Sequence, residues 1–276
     1  MGEPGEQIAP AFEFELALLS DIGNGRTNNE DFHGKWVESS TDALFVVADG
    51  VGGYEGGEIA SSMAVETVLE AYRESPAEWG PSKRLHRAVQ RANIEIYNRA
   101  ITIPELRRMA TTLTAAVVNS GALSVSHVGD CRLYLLRGGQ VQQLTRDHTM
   151  VGEKVRMGLL SAKQARNHPE RSALNRCLGH ELIISVDRLS MTLQQGDRLI
   201  VCSDGLYSVI EDHELDTLTR GLGAEAACRR LIEEGVARGT IDNLTVAFLR
   251  MHGSTPFAPA PSGWRSRLRK LFGRGD

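Results

Sequence analysis

The sequence predicts an α+β fold in which strands and helices pack as a layered sandwich. Six short runs rich in apolar and β-branched residues are bounded by Gly, Asp or Asn, which is typical of strands. These runs are residues 44–48, 113–118, 123–128, 132–136, 198–202 and 244–249. Because the runs come in groups and do not alternate strictly with helices, the pattern favours a layered sandwich over a doubly wound parallel sheet.

Three segments show the apolar spacing of amphipathic helices, in which residues three and four positions apart share one face. Two of them lie between the first two strand-like runs, and the third precedes the last run. Their apolar stripes are Ala60, Met63, Ala64, Thr67, Val68 and Ala71; Leu85, Val89, Ala92 and Ile96; and Ala224, Ala227, Cys228, Leu231 and Ile232. We therefore expect one helix over each of these segments.

Composition and charge argue against several classes of protein. The 276 residues include 31 Lys and Arg against 35 Asp and Glu, a net charge of −4, which argues against nucleic acid as the main partner. The four cysteines are dispersed and form no CxxC pair, so we expect reduced thiols in a cytoplasmic protein. No apolar stretch approaches the roughly 18 residues that span a bilayer, and the first residues lack the pattern of a signal peptide.

We expect one domain over residues 14–251. The Gly/Pro/Glu-rich segment 1–13 is expected to be flexible, and residues 252–276 form a Pro-rich linker with a basic tail. The tail places Trp264, Leu268, Leu271 and Phe272 at helical spacing among basic residues, as in a short helix that rests on anionic lipid or docks on a partner. So short a helix is marginal in water, so a disordered polar end is favoured over membrane contact.

Four aspartates stand where strand-like runs begin or end, and glycine follows two of them. They are Asp49, Asp130, Asp204 and Asp242. Carboxylates that converge on one spot repel one another unless cations neutralise them, and clusters of oxygen ligands suit Mg²⁺ or Mn²⁺. Each aspartate taken alone is more often a turn residue, since Asp-Gly is an ordinary turn dipeptide. The repetition of the context favours a metal site.

An upstream loop rich in Gly and Asn carries Arg26 a few residues before Glu30 and Asp31. A guanidinium matches the oxygens of a phosphate with two parallel hydrogen bonds. Arg26 is therefore a candidate phosphate ligand if this loop faces the aspartates. A solvent-exposed loop arginine is the alternative.

Six stretches occur in a fixed order: SDIGNGRTNNED, FVVADGVGGYEGGEIAS, TTLTAAVV, HVGDCRLYLLRGGQVQQLTRDHT, GDRLIVCSDGLYSVI and DNLTVAFL. In these stretches the chain resembles the PPM family, the metal-dependent type 2C serine/threonine protein phosphatases, in its bacterial form. The resemblance covers about residues 16–250. It implies a central β-sandwich of two antiparallel sheets, flanked by helices on both sides, with the metal centre at one end.

The resemblance also implies two Mn²⁺ or Mg²⁺ ions and, in bacterial members, often a weaker third. Asp49 would bridge the first two, the Gly50 carbonyl would bind one of them, and Asp204 and Asp242 would complete the other. Asp130, with Asp204 and Ser172, matches the ligands of the third ion.

The remaining matched positions concern substrate and water. Arg26 matches the family's phosphate-binding arginine, and Glu30 and Asp31 match positions that hold metal-bound waters. The implied reaction is direct hydrolysis by a water or hydroxide that bridges the two ions, without a phosphoenzyme.

Residues 147–179 resemble the mobile flap beside the active site of bacterial members. Its basic residues either steer anionic phosphopeptides or form a solvated charged face; they are Lys154, Arg156, Lys163, Arg166 and Arg171. His127 and His148 lie near Asp130 and Asp147 in the sequence. Each either donates a proton to the leaving oxygen or is a structural histidine, and the structural role is favoured.

The chain departs from the family's pattern at three positions. Val51 and Tyr54 replace the commoner Met and His, and neither position supplies a ligand in bacterial members, so we expect activity to survive. Cys131 replaces a serine beside Asp130. It is either an inert packing residue, which is favoured, or a thiol that makes the third metal site sensitive to oxidation.

The function these features predict is metal-dependent hydrolysis of phosphoserine and phosphothreonine in proteins, opposing a bacterial Ser/Thr kinase. The expected partners are phosphorylated proteins. One alternative is a pseudophosphatase that binds phosphoproteins without turnover, although Asp49, Asp204, Asp242 and Arg26 are all present. A second alternative narrows the substrate to a phosphorylated anti-sigma-factor antagonist.

Overall fold

Two antiparallel five-stranded sheets form the centre of the computed structural model, which describes residues 12–51, 56–76 and 78–253. One sheet has the order β1–β10–β9–β6–β7 and the other β2–β3–β4–β5–β8. In chain order the strands are β1 (Glu13–Asp21), β2 (Asp31–Val37), β3 (Asp42–Asp49), β4 (Leu113–Asn119), β5 (Ala122–Val128), β6 (Arg132–Arg137), β7 (Gln140–Gln143), β8 (Asp187–Thr192), β9 (Arg198–Cys202) and β10 (Leu244–His252).

Helices cover the outer face of each sheet. A three-residue 3₁₀ helix, Pro104–Leu106, follows the second α-helix in the chain. The α-helices of the described residues are α1 (Gly57–Glu74), α2 (Pro81–Thr102), α3 (Met150–Arg156), α4 (Ala162–Arg166), α5 (Asp204–Tyr207), α6 (Glu214–Thr219) and α7 (Ala224–Ala237). The predicted apolar stripes lie in α1, α2 and α7 and are buried against the sheets.

Three apolar layers hold the sandwich together. Strand β3 contributes to two of these layers, because its successive side chains point to opposite faces of the sheet. Leu44 and Val46 pack with α1 and α2, whereas Phe45 and Val47 pack between the two sheets, and all four are fully buried. The third layer lies between the other sheet and α5, α6 and α7. The order helix, sheet, sheet, helix confirms the predicted fold class.

The segment between β7 and β8 contains the predicted flap. Thr149 and Leu174 form an isolated β-bridge that ties the two ends of the segment together. Arg166, the last residue of α4, donates to the carbonyl oxygen of Tyr207 at 2.5 Å. This hydrogen bond fixes the flap against the C-terminal end of α5.

The predictions for the chain ends fall largely outside the described residues. Residues 1–11 of the expected flexible start lie outside them, and so do residues 254–276, which include the predicted amphipathic segment of the tail. Within the part that the structure describes, no helix is both long and apolar enough to cross a membrane.

Candidate metal centre

The second sheet contributes two acids to one end of the sandwich. Asp31 and Asp49 are paired residues in the register of β2 and β3. The Asp49 backbone is fixed because its carbonyl oxygen accepts hydrogen bonds from Thr112 N and Thr111 Oγ1, both at 2.8 Å. Asp31 accepts from Ser203 Oγ at 2.7 Å, and Ser203 follows β9 of the opposite sheet. The two sheets therefore bring their acidic ends together.

The first sheet and the crossing between the sheets supply three more acids. Asp204 begins α5 two residues after β9 ends, and Asp242 stands two residues before β10. Asp130 lies in the connection in which the chain passes from β5 of one sheet to β6 of the other. Close packing needs glycine here, because a Cβ atom at Gly205 would lie 2.1 Å from the carbonyl oxygen of Asn243.

Burial and mutual repulsion make this cluster electrostatically unfavourable without a cation. Burial, then the neighbouring carboxylates, raises the pKa of Asp49 well above its usual range. The pKa of Asp130 is likewise raised well above its usual range by burial and by Asp204. Burial raises the pKa of Asp31 to about 7 and that of Asp204 to about 6. This set of oxygen donors fits a divalent cation, which would remove the repulsion.

Arg26 and Asp242 are bound to each other. The guanidinium donates from Nε and one terminal nitrogen to the two carboxylate oxygens at 2.8 and 2.9 Å. Both side chains are partly exposed, at 41% for Arg26 and 34% for Asp242. Among the described residues no three His, Cys, Asp or Glu side chains already stand close enough together to hold a metal ion. Asp242 is therefore paired with Arg26 and also lies near Asp204, whose pKa its charge helps to raise.

Glu30 and Gly50 lie beside the buried acids. Gly50 N donates to the Glu30 carbonyl oxygen at 3.0 Å. A Cβ atom at Gly57, the first residue of α1, would lie 2.8 Å from Glu30 Oε2, so this carboxylate reaches the helix N-terminus. Burial raises the pKa of Glu30. The structure thus places Glu30, Asp31, Asp49 and Gly50 in one region.

Ser172 in the flap approaches the centre. Its Oγ lies 3.5 Å from Asp204 Oδ2, at the outer limit of a hydrogen bond. Arg171 also faces Asp204, since its charge lowers the pKa of that carboxyl against the effect of burial. Asp130 is linked to the same region through Tyr207, which lies three residues after Asp204.

Tyr207 is a site residue that sequence reasoning missed. Its hydroxyl donates to Asp130 Oδ2 at 3.2 Å. The guanidinium carbon of Arg132 lies 3.6 Å from the centroid of the Tyr207 ring, which holds the ring in place. The available signal was its spacing from Asp204, because residues three apart on a helical turn share a face.

Asn243, which follows Asp242, makes three hydrogen bonds to the loop between β1 and β2. Its Oδ1 accepts from Glu30 N at 2.9 Å. Its Nδ2 donates to the carbonyl oxygens of Ile22 and Asn28 at 2.9 and 3.0 Å. The loop that carries Arg26 is therefore held to the start of β10.

The two histidines have structural contacts. His127 Nδ1 lies 2.8 Å from Thr114 Oγ1 and its Nε2 lies 2.9 Å from the Arg146 carbonyl oxygen. Burial lowers the pKa of His127 to about 4. His148 Nδ1 accepts from Gly129 N at 3.0 Å. These contacts support the structural role over the role of proton donor.

Cys131 is fully buried, and its sulfur lies 3.1 Å from Thr112 Oγ1. Burial raises the pKa of this thiol well above its usual range, which keeps it protonated and unreactive. The structure favours the packing role for this residue.

The basic residues of the flap are largely engaged in ion pairs. Lys154 pairs with Glu170 at 3.1 Å and Arg156 with Glu153 at 2.5 Å. Arg166 pairs with Glu211 at 3.3 Å. This pairing favours a solvated charged face over a steering field for at least three of the five residues.

Comparison with known proteins places this fold in a class of protein phosphatases. The family model for protein phosphatase 2C matches residues 20–238. The serine/threonine phosphatase stp of Listeria monocytogenes is 35% identical over 233 residues, which is 82% of this chain and 92% of that protein. This chain belongs to the protein phosphatase 2C family, the PPM-type phosphatases, and the predicted enzyme class, a serine/threonine phosphatase, is confirmed.

Solved structures agree with this assignment. The Mycobacterium tuberculosis serine/threonine phosphatase PstP has a TM-score of 0.78 and 32% identity, covering 87% of this chain and 99% of that one. A PstP catalytic domain in complex with two manganese ions has a TM-score of 0.77 and 31% identity, covering 87% of this chain and 99% of that one. One of these related structures therefore holds two manganese ions.

Proposed function

We propose that this chain hydrolyses phosphoserine and phosphothreonine esters in proteins with two Mn²⁺ or Mg²⁺ ions, opposing a Ser/Thr kinase. The observation that carries the proposal is the set of buried carboxylates at one end of the sandwich, with raised pKa values and a partly exposed arginine beside them. The names of the matched relatives support serine and threonine as the phosphorylated residues.

The carboxylate and carbonyl oxygens present are the ligand types that Mn²⁺ and Mg²⁺ prefer, and binding of the ions would draw the side chains together. Asp49 and the Gly50 carbonyl oxygen would hold one ion, and Asp49, Asp204 and Asp242 the other. Asp130, Asp204 and Ser172 would hold a weaker third. When bound, the ions supply Lewis-acid stabilisation of charge at phosphorus and make a water nucleophilic at neutral pH.

The protein's own groups bind and orient the phosphate ester. Arg26 presents two N–H donors that match two phosphate oxygens in the way they now match the Asp242 carboxylate. When the phosphate binds, it takes the place of that carboxylate on the guanidinium, and Asp242 is freed to face Asp204. The side chains of Glu30 and Asp31 border the same space and would accept hydrogen bonds from ordered water.

The acids named in this proposal lie in or beside the ends of strands, and their presence supports an enzyme that turns over its substrate. A phosphoprotein-binding protein without turnover would need only the arginine and a groove. No contact in the described residues favours that alternative, and we therefore propose an active enzyme.

The test is hydrolysis of a phosphothreonine peptide by the full chain. We expect turnover with Mn²⁺, none with EDTA, and none for Asp49→Asn with Mn²⁺. We expect Arg26→Ala to lower kcat/KM about 100-fold, because it removes donors aimed at the phosphate. The matched control is Arg91→Ala, since Arg91 is also partly exposed and paired with carboxylates but lies on α2. Turnover that survives EDTA and Asp49→Asn would refute the proposal.

A further inference from the structure

An exposed isoleucine stands at the rim of the phosphate-binding region. Ile241 directly precedes Asp242 and is 71% exposed, although a large apolar side chain is preferentially buried. A second isoleucine, Ile22, is 39% exposed and opens the loop that carries Arg26. Single exposed apolar residues are common on protein surfaces. Ile241 differs from such residues because it lies beside the Arg26–Asp242 pair.

Two hydrogen bonds from Asn24 hold the loop of Arg26 against the segment that precedes Ile241. Asn24 N donates to the Thr240 carbonyl oxygen at 3.0 Å, and Asn24 Nδ2 donates to the Val236 carbonyl oxygen at 2.9 Å. A Cβ atom at Gly25 would lie 2.5 Å from the Ile241 carbonyl oxygen and 2.9 Å from its Cβ. Gly25 thus lets the loop lie directly on Ile241, one residue before Arg26.

We infer that Ile241 is a specificity-determining residue, which packs against an apolar side chain next to the phosphorylated residue of the substrate. The inference rests on the proposed function, because it takes Arg26 to bind the phosphate. Consecutive residues of an extended peptide are about 3.4 Å apart. A substrate whose phosphate sits on Arg26 therefore brings its neighbouring side chains within reach of the residue adjoining Asp242.

The exposed side chain of Ile241 favours one class of neighbour. Ile241 is 71% exposed, so an apolar side chain next to the phosphorylated residue loses water-exposed surface against it, whereas a polar side chain would have to give up its water. The substrate class is therefore a phosphoserine or phosphothreonine peptide with an aliphatic neighbour.

Four phosphothreonine peptides of equal length and charge test the inference. They carry Leu before the phosphothreonine, after it, on both sides, or Ser on both sides. Burial of about 40 Å² of apolar surface at about 25 cal/mol per Å² corresponds to a preference of about fivefold. We expect the wild type to hydrolyse at least one Leu peptide with about fivefold higher kcat/KM than the Ser peptide. We expect Ile241→Ser to reduce that ratio to about one.

The control is Ile94→Ser, since Ile94 is an exposed isoleucine in the middle of α2, and it should keep the wild-type ratio. Equal kcat/KM on the four peptides, or an unchanged ratio in Ile241→Ser, overturns the inference while leaving the proposed function standing. Hydrolysis of p-nitrophenyl phosphate by the wild type distinguishes failure of this inference alone from failure of the proposed function. Its absence with Mn²⁺ present would overturn the proposed function and this inference with it.

Discussion

Replacement of Asp31 by Asn removes one negative charge from the buried cluster and keeps the shape of the side chain. Asp31 is 6% exposed and accepts a hydrogen bond from Ser203, which an asparagine oxygen can also accept. The folded state raises the pKa of Asp31, through burial first and then repulsion by Asp204 and Asp242, from 3.8 to about 7. The variant therefore reports the free energy that this charge costs the metal-free fold.

The sign follows from proton binding in the two states. Between pH 4 and 7 the unfolded chain has an ionised Asp31 while the folded chain holds the proton, so stability falls as pH rises and stays low above pH 7. From pH 5 to pH 7 the raised pKa of Asp31 lowers the free energy of unfolding by about 3 kcal/mol, which is about 1.4 kcal/mol for each of the two pH units. For a chain of this size that corresponds to about 6 °C in melting temperature.

The measurement is the melting temperature of both proteins in EDTA from pH 5 to pH 8, recorded by circular dichroism. His127, whose pKa is lowered to about 4, has the opposite pH dependence, but it is present in both proteins and cancels in the difference. We expect Asp31→Asn to melt about 6 °C higher relative to the wild type at pH 8 than at pH 5. Saturating Mn²⁺ should shrink this gain, because the cation neutralises the wild-type carboxylates. A difference that is independent of pH would refute the electrostatic reasoning.

Two further substitutions probe other parts of the structure. Tyr207→Phe removes the hydroxyl that donates to Asp130, so we expect the weakest Mn²⁺ site to lose about tenfold in affinity by calorimetry while the tighter sites are unchanged; equal loss at all sites would contradict this role. Asp197→Ala removes the carboxylate that binds Arg137 at 2.7 and 2.5 Å in the buried core, so we expect urea unfolding to show a loss of about 4 kcal/mol. A loss below about 1 kcal/mol would show that the pair is dispensable.

The strands that sequence reasoning found and missed differ in their place in the sheets. The six predicted runs became β3, β4, β5, β6, β9 and β10, which are the interior strands of both sheets. The four missed strands, β1, β2, β7 and β8, are the four sheet edges. Interior strands are buried on both faces and read as continuous apolar runs, whereas an edge strand such as QVQQ carries polar residues that hide the signal.

The site residues also divide into those that local sequence patterns could predict and those that they could not. Asp49, Asp130, Asp204 and Asp242 follow or precede predictable strands, so their shared end of the sandwich was foreseeable once the sheets were known. The role of Tyr207 depends on a side-chain contact between α5 and the β5–β6 connection, which no local pattern encodes. The ion pair of Arg26 with Asp242 was likewise hidden, because 216 positions separate its partners.

The most direct test of the account is where Mn²⁺ binds. Crystals of the full chain soaked in Mn²⁺ and measured at the manganese absorption edge would locate the ions by anomalous scattering. We predict two strong peaks among Asp49, Asp204 and Asp242, with the Arg26–Asp242 ion pair opened. Manganese bound only elsewhere, with these three carboxylates free of metal and Arg26 still on Asp242, would contradict it.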